Sequence, residues 1–180
     1  INASLVLSNI AVYKQDRAGL ITFSERMGTL LQARRTPPQM HKITEMLYRQ
    51  KTRYLDSNFE TLYANVRKKV SQRSLLLLFT NFDSISSLHR QLPYLRRLNR
   101  DHMLVVIFFQ NTELRELTLA EAHTKEEIYL KTVAEKFEYD KRQIVRELQK
   151  YLIQSILTSP AQLTVNTLNK YLELKARGMI

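Results

Sequence analysis

The chain has 180 residues, 44% hydrophobic and 25% charged, which suits a single folded domain over 1–180 with a sizeable core and excludes wholesale disorder. Cysteine is absent, so disulfides, thiolate metal sites and cysteine nucleophiles are excluded, in keeping with a reducing compartment. The net charge of +11 raises the question of nucleic-acid binding, since neutralised phosphate drives it. The basic residues are scattered, as Arg34-Arg35, Arg67-Lys68-Lys69, Arg96-Arg97 and Lys141-Arg142. The rings of Phe59 and Tyr63 sit at helical core spacing, which favours a solvated basic surface over a base-stacking groove. No apolar run approaches the roughly 20 residues that span a bilayer, and no signal-peptide pattern opens the sequence.

In chain order, residues 1–13 read as a helix with Leu5, Ile10 and Tyr13 among its apolar positions. Arg17–Ser24 reads as a strand. A helix follows Pro37-Pro38, carrying Met40, Ile43, Met46 and Leu47. Phe59, Leu62, Tyr63, Val66 and Val70 form the next helical stripe. Ser74–Thr80 and His102–Phe109 are continuously apolar, the mark of strands covered on both faces of a parallel sheet. Between them, Ile85, Leu88, Leu92, Leu95 and Leu98 predict a helix kinked at Pro93. Thr124 and Glu127 have capping-box spacing and open a long helix whose buried face is predicted to be Leu130, Ala134, Phe137, Ile144 and Leu148. Leu152–Leu157 reads as an edge strand. The last helix starts at Ser159-Pro160 and ends on Lys175, Arg177 and Gly178, cations for the dipole and a glycine for a left-handed cap. Alternating helices and strands predict an α/β fold with an open, doubly wound, mostly parallel sheet.

Three stretches give this pattern a family. They are DRAGLITFS from Asp16 to Ser24, RSLLLLFTN from Arg73 to Asn81, and LNKYLELKARG from Leu168 to Gly178. With the spacing between them, they resemble the von Willebrand factor A-like (Rossmann-like) domain of a bacterial domain-of-unknown-function family, number fifty-eight. That family is encoded beside MoxR-type AAA+ ATPases, and the resemblance covers essentially the whole chain. It implies a non-enzymatic adaptor or co-chaperone whose partner is such an ATPase. It also implies a cytoplasmic location, with a tether to the membrane supplied by segments outside this chain.

The fold so implied opens with a central strand, whereas this chain opens with a helix. The expectation is an N-terminally truncated domain whose first strand would lie between the Leu20 and Leu76 strands. The gap is then closed by those strands, filled by another chain, or satisfied in a homo-oligomer. Domains of this class hold magnesium or a similar cation at the carboxyl ends of the strands through an Asp-x-Ser-x-Ser motif. That motif is absent here. The remaining ligand loops would fall at Asp56, Ser57 and Asn58 and at Thr80, Asn81 and Asp83, with Asn81 where relatives carry aspartate. The reading is therefore a degenerate metal site and no cofactor for this chain. Helix capping is the favoured role of Asp56, Ser57, Asn58 and Asp83. Ser24, Arg26, Arg34, Arg35 and Asn58 are the candidate partner-binding residues, and a basic nucleic-acid-binding domain is the alternative.

An enzyme is not expected. His41, His89, His102 and His123 show no i, i+4 pairing, and the sequence contains no Gly-x-Ser-x-Gly elbow, phosphate loop or Gly-x-Gly-x-x-Gly. Glu126-Glu127 falls in a helix's first turn, where the dipole accounts for it.

Overall fold

A computed structural model describes residues 1–50, 56–119 and 121–179. The contacts group into two units, Ile1–Arg73 with Thr167–Met179, and Ser74–Asn166.

The first unit starts with α1 (Asn2–Tyr13), β1 (Ala18–Phe23) and β2 (Met27–Arg34). β1 and β2 form an antiparallel hairpin, pairing Phe23 with Met27 at the turn and Ala18 with Arg34 at the open end. The sequence reading missed β2. Its turn, Ser24-Glu25-Arg26, carries none of the Asn-Gly or Asp-Gly signals that announce a tight hairpin, and its Gln32–Arg34 end is exposed and polar. Gly19 lies so close to β2 that a Cβ there would sit 2.8 Å from Ala33 N and from Leu31 O, so this strand needs glycine for close approach. α2 (Gln39–Tyr48) packs on the hairpin, with Ala18, Ile43 and Leu47 at the centre of a core joined by Leu5, Val12, Leu20 and Leu31. The buried Gln39 amide donates to Ala18 O (2.7 Å) and Gln32 O (2.9 Å), tying the start of α2 to both strands. α3 (Phe59–Lys69) buries the predicted stripe of Phe59, Leu62, Tyr63 and Val66. The Phe59 ring meets Phe23 edge to face at 5.5 Å.

The second unit holds β3 (Leu75–Phe79), α4 (Ile85–Asp101), β4 (Met103–Phe109), α5 (Thr112–Leu119), α6 (Lys125–Lys150) and β5 (Gln154–Thr158). The three strands form a parallel sheet in the order β3-β4-β5. β4 is the middle strand, and its Leu104–Phe108 segment is fully buried, as a continuously apolar sequence requires. The α/β class and the parallel pairing of the Leu76 and Val106 runs are as expected. The sheet is smaller than expected, because the Arg17–Ser24 run pairs with β2 in a sheet of its own. The Leu20 and Leu76 strands therefore do not close onto each other as a pair.

α4 packs against β4 and α6, burying Leu88, Leu92, Leu95 and Leu98. The helix runs unbroken through Pro93, which is exposed and forfeits one intrahelical donor. The Thr124–Glu127 capping box is formed, with both reciprocal bonds present. One expectation about α6 is corrected. Ala134, Ile144 and Leu148 are buried, but Leu130 is 50% and Phe137 40% exposed. Periodicity states which side chains share a face and cannot state whether anything covers it. α5, which packs on α6, has no buried residue of its own.

The chain finishes with a short 3-10 turn at Pro160–Gln162 and α7 (Leu163–Ala176), whose residues from Thr167 group with the first unit. Gly178 closes it with φ +66°, the left-handed cap expected of it. Among the described residues, no helix is long and apolar enough to cross a membrane.

Candidate functional site at the carboxyl ends of the parallel strands

β3, β4 and β5 all end on the same side of their sheet, at Thr80-Asn81, Gln110-Asn111 and Ser159-Pro160. Open α/β sheets bind ligands outside these ends. A cavity of about 580 Å³ lies there, lined by Asn81, Asp83, Gln110, Phe137, Glu138 and Lys141 among others. Its polar groups are largely committed to one another. Gln110 donates to Glu138 Oε1 at 2.7 Å, and Arg142 pairs with the same carboxylate at 3.5 Å. Asn111 Oδ1 accepts from the backbone of Glu113 and Leu114, capping α5.

Lys141 dominates the site. Its ammonium donates to Asn81 Oδ1 and to the Phe82 carbonyl, both at 2.6 Å, and stands 5.8 Å from the centre of the Phe108 ring. Burial pulls the Lys141 amine below its ordinary value, and the Asp83 charge opposes that shift. The sequence reading recorded Lys141 only as half of a basic pair. The available signal was position: Lys141 falls on the stripe Ala134, Phe137, Ile144, Leu148, where a lysine interrupts an otherwise apolar face.

This arrangement does not fit a divalent cation. Two of the oxygens a metal would take from the Asn81 loop are bonded to an ammonium, and a like charge at that position repels a second cation. Among the described residues, no cluster of three or more His, Asp or Glu is placed to hold a metal. Thr80 is half-buried and its N–H donates to Ile107 O, while Asp83 is exposed on the cavity wall. Ser84, and not Asp83, caps α4 by accepting from Ser87 N at 3.2 Å. Asn58 caps α3 as expected, accepting from Thr61 N at 2.9 Å, with Asp56 and Ser57 exposed just before it.

The candidate partner-binding residues divide between the two ends of the hairpin. Ser24 and Arg26 form its turn, and the Ser24 carbonyl accepts from Asn58 N at 2.8 Å, so Ser24, Arg26 and Asn58 are brought together. Arg34 and Arg35 lie at the opposite, open end. There Asp16 receives the Lys175 ammonium at 2.5 Å and the Tyr171 hydroxyl. Two of the three stretches that carry the family resemblance therefore meet in a hydrogen-bonded cluster. Desolvation opposes ionisation of Asp16, but the bonds from Lys175 and Tyr171, with the charges of Lys175 and Arg35, outweigh it and hold the carboxyl below its ordinary range. Burial and the Asp16 carboxylate push the Tyr171 phenol up.

A depressed carboxyl pKa means that the cluster stabilises the fold fully above the ordinary carboxyl range. That contribution is lost as pH falls through the lower folded value. Asp16→Asn is expected to cost about 1–2 kcal/mol at neutral pH, discounted because the side chain is partly exposed. The difference from wild type should shrink near about pH 3, as urea unfolding at the two pH values will read.

The positive charge is segregated. The first unit's sequence carries sixteen Lys and Arg against six Asp and Glu, a net +10, whereas the second unit carries twelve against eleven. Comparison of the chain with protein-family models, with curated proteins and with solved structures found no match.

Proposed function

We propose that this chain is a non-enzymatic protein–protein interaction module of the von Willebrand factor A-like type, serving a MoxR-type AAA+ ATPase as adaptor or co-chaperone. The carrying observation is the uncovered apolar surface of α5 and α6. Leu117 and Leu119 on α5, and Ile128, Tyr129, Leu130, Phe137 and Tyr139 on α6, are each at least 40% exposed. Several large apolar side chains exposed on one packed helix pair suit burial against a partner. Phe137 also lines the cavity at the strand ends, the surface on which α/β sheets recognise ligands. The parallel sheet, and the joining of the Asp16 and Leu168–Gly178 stretches through Tyr171 and Lys175, support the family part of the reading. The module acts without a metal at the Asn81 loop, since Lys141 supplies the cation there.

The test is affinity capture from the native host with ATP and magnesium present. The expected result is enrichment of an AAA+ ATPase, abolished by Leu130→Asp with Phe137→Asp and retained by Lys68→Gln, at an exposed position of α3. Nuclease-sensitive nucleic acid without an ATPase would overturn the reading. It would instead favour the basic nucleic-acid-binding alternative, which rests on the net +10 of the first unit.

A further inference from the structure

The open end of the β1–β2 hairpin contains a device that the general basicity of the chain does not explain. Arg17 Nη1 donates to Gln72 Oε1 at 3.0 Å, and Arg35 Nη2 donates to Gln15 Oε1. Both guanidiniums are thus oriented by neutral amide oxygens. A glutamate at either position would orient the arginine and cancel its charge, whereas glutamine orients it and leaves the charge intact. Lys14 and Arg34 are exposed at the same end, Lys14 next to Gln15 and Arg34 paired across the hairpin from Ala18. The carboxylate in their midst, Asp16, is already bonded to Lys175 and Tyr171. Arg35 acts on the Asp16 carboxylate only through space, and among the described residues neither Arg17 nor Arg35 forms a direct ion pair.

Gln15 adds a second, independent sign. It closes α1 with φ +64°, a left-handed conformation in which glycine is usual and a longer side chain is strained. Glycine would suit the backbone, but only a side chain can hold Arg35. Strain kept where a side chain orients a charged group is characteristic of binding sites.

We propose that this end of the hairpin, where Gln15 and Gln72 hold Arg35 and Arg17, is a docking surface for a carboxylate-rich segment of a protein partner. Each guanidinium spends one donor on its glutamine and keeps others for a bidentate carboxylate. A polyphosphate strand fits less well. Single-strand surfaces track the backbone with a series of exposed rings. In this unit Phe59, Tyr63 and Tyr171 are buried, and the strongly exposed tyrosines among the described residues, Tyr13 and Tyr48, stand at the ends of two separate helices and form no series. The biological partner rests on the interaction-module reading, but the surface is tested without it.

The test is fluorescence anisotropy with a labelled decaglutamate peptide at about 0.1 M salt. Saturable binding is expected, weakened about tenfold in Arg17→Gln/Arg35→Gln, as the loss of two partly exposed charge pairs implies. The control Lys42→Gln/Lys68→Gln removes the same charge from exposed helix positions and should change binding less than about twofold. Gln15→Gly should raise the thermal midpoint by relieving the left-handed strain and yet weaken the peptide, a combination that a purely structural role would not give. Three results would overturn the proposal: no peptide binding, equal loss in the control, or tighter binding of oligothymidylate of the same length. A protein that captures the ATPase but ignores the peptide would reject this surface and leave the module reading standing.

Discussion

Phe108→Ala should cost the three-stranded unit about 3–5 kcal/mol, measured by urea unfolding followed by circular dichroism. The ring is fully buried in the middle strand, level with Leu157 on β5, and meets the Phe82 ring edge-on at 6.5 Å. Neighbours on both sides prevent easy collapse, so the transfer cost and the cavity cost both apply. Phe108→Leu, which keeps most of the volume, should cost less than about 2 kcal/mol. A loss below about 1 kcal/mol for the alanine variant would mean that the strand is less tightly packed than its burial states.

Lys141→Met is the second large effect, expected at about 1–3 kcal/mol in the same measurement. Here two terms oppose each other. Removing the ammonium leaves Asn81 Oδ1, which is exposed, to water, but leaves the part-buried Phe82 carbonyl without its 2.6 Å donor, and an unsatisfied buried acceptor costs on the order of 1–3 kcal/mol. Relief of the partly buried charge, which lowers the amine's pKa, returns part of this. The Phe82 carbonyl is a neutral acceptor on a buried residue, which cannot shed its desolvation cost by changing protonation, so the penalty wins. The variant should also loosen the Asn81–Asp83 loop, visible as faster amide exchange at Phe82. A variant as stable as wild type with an unchanged loop would show that the ammonium does not organise the strand ends.

Much of the fold was legible because it rests on local chemistry. The capping box at Thr124, the left-handed Gly178 and the apolar runs of β3 and β4 each depend on a few adjacent side chains. The hairpin was half legible. β1 is apolar enough to be seen, but β2 is specified by its pairing with β1 and by Gly19 and Gly28 at close approach, which single-chain periodicity does not encode. The candidate site was read in outline. Asn58 caps as expected, whereas Asp83 yields the α4 cap to Ser84, the residue next to it, whose extended backbone can present its hydroxyl to the first turn.

The sequence by itself determined the alternation of helix and strand, the composition that a core requires, and an excess of positive charge. It could not determine what lies opposite a given side chain, because residues far apart in the chain meet only after folding. Tertiary structure alone decided that Lys141 reaches the Asn81 loop, that Leu130 and Phe137 are left uncovered, and that Asp16 meets Tyr171 and Lys175. It also decided that Arg17 and Arg35 are held by amides and not by carboxylates. In each case the deciding energy is short-ranged, a hydrogen bond or a covered apolar face, and it is set by distances that sequence spacing does not carry.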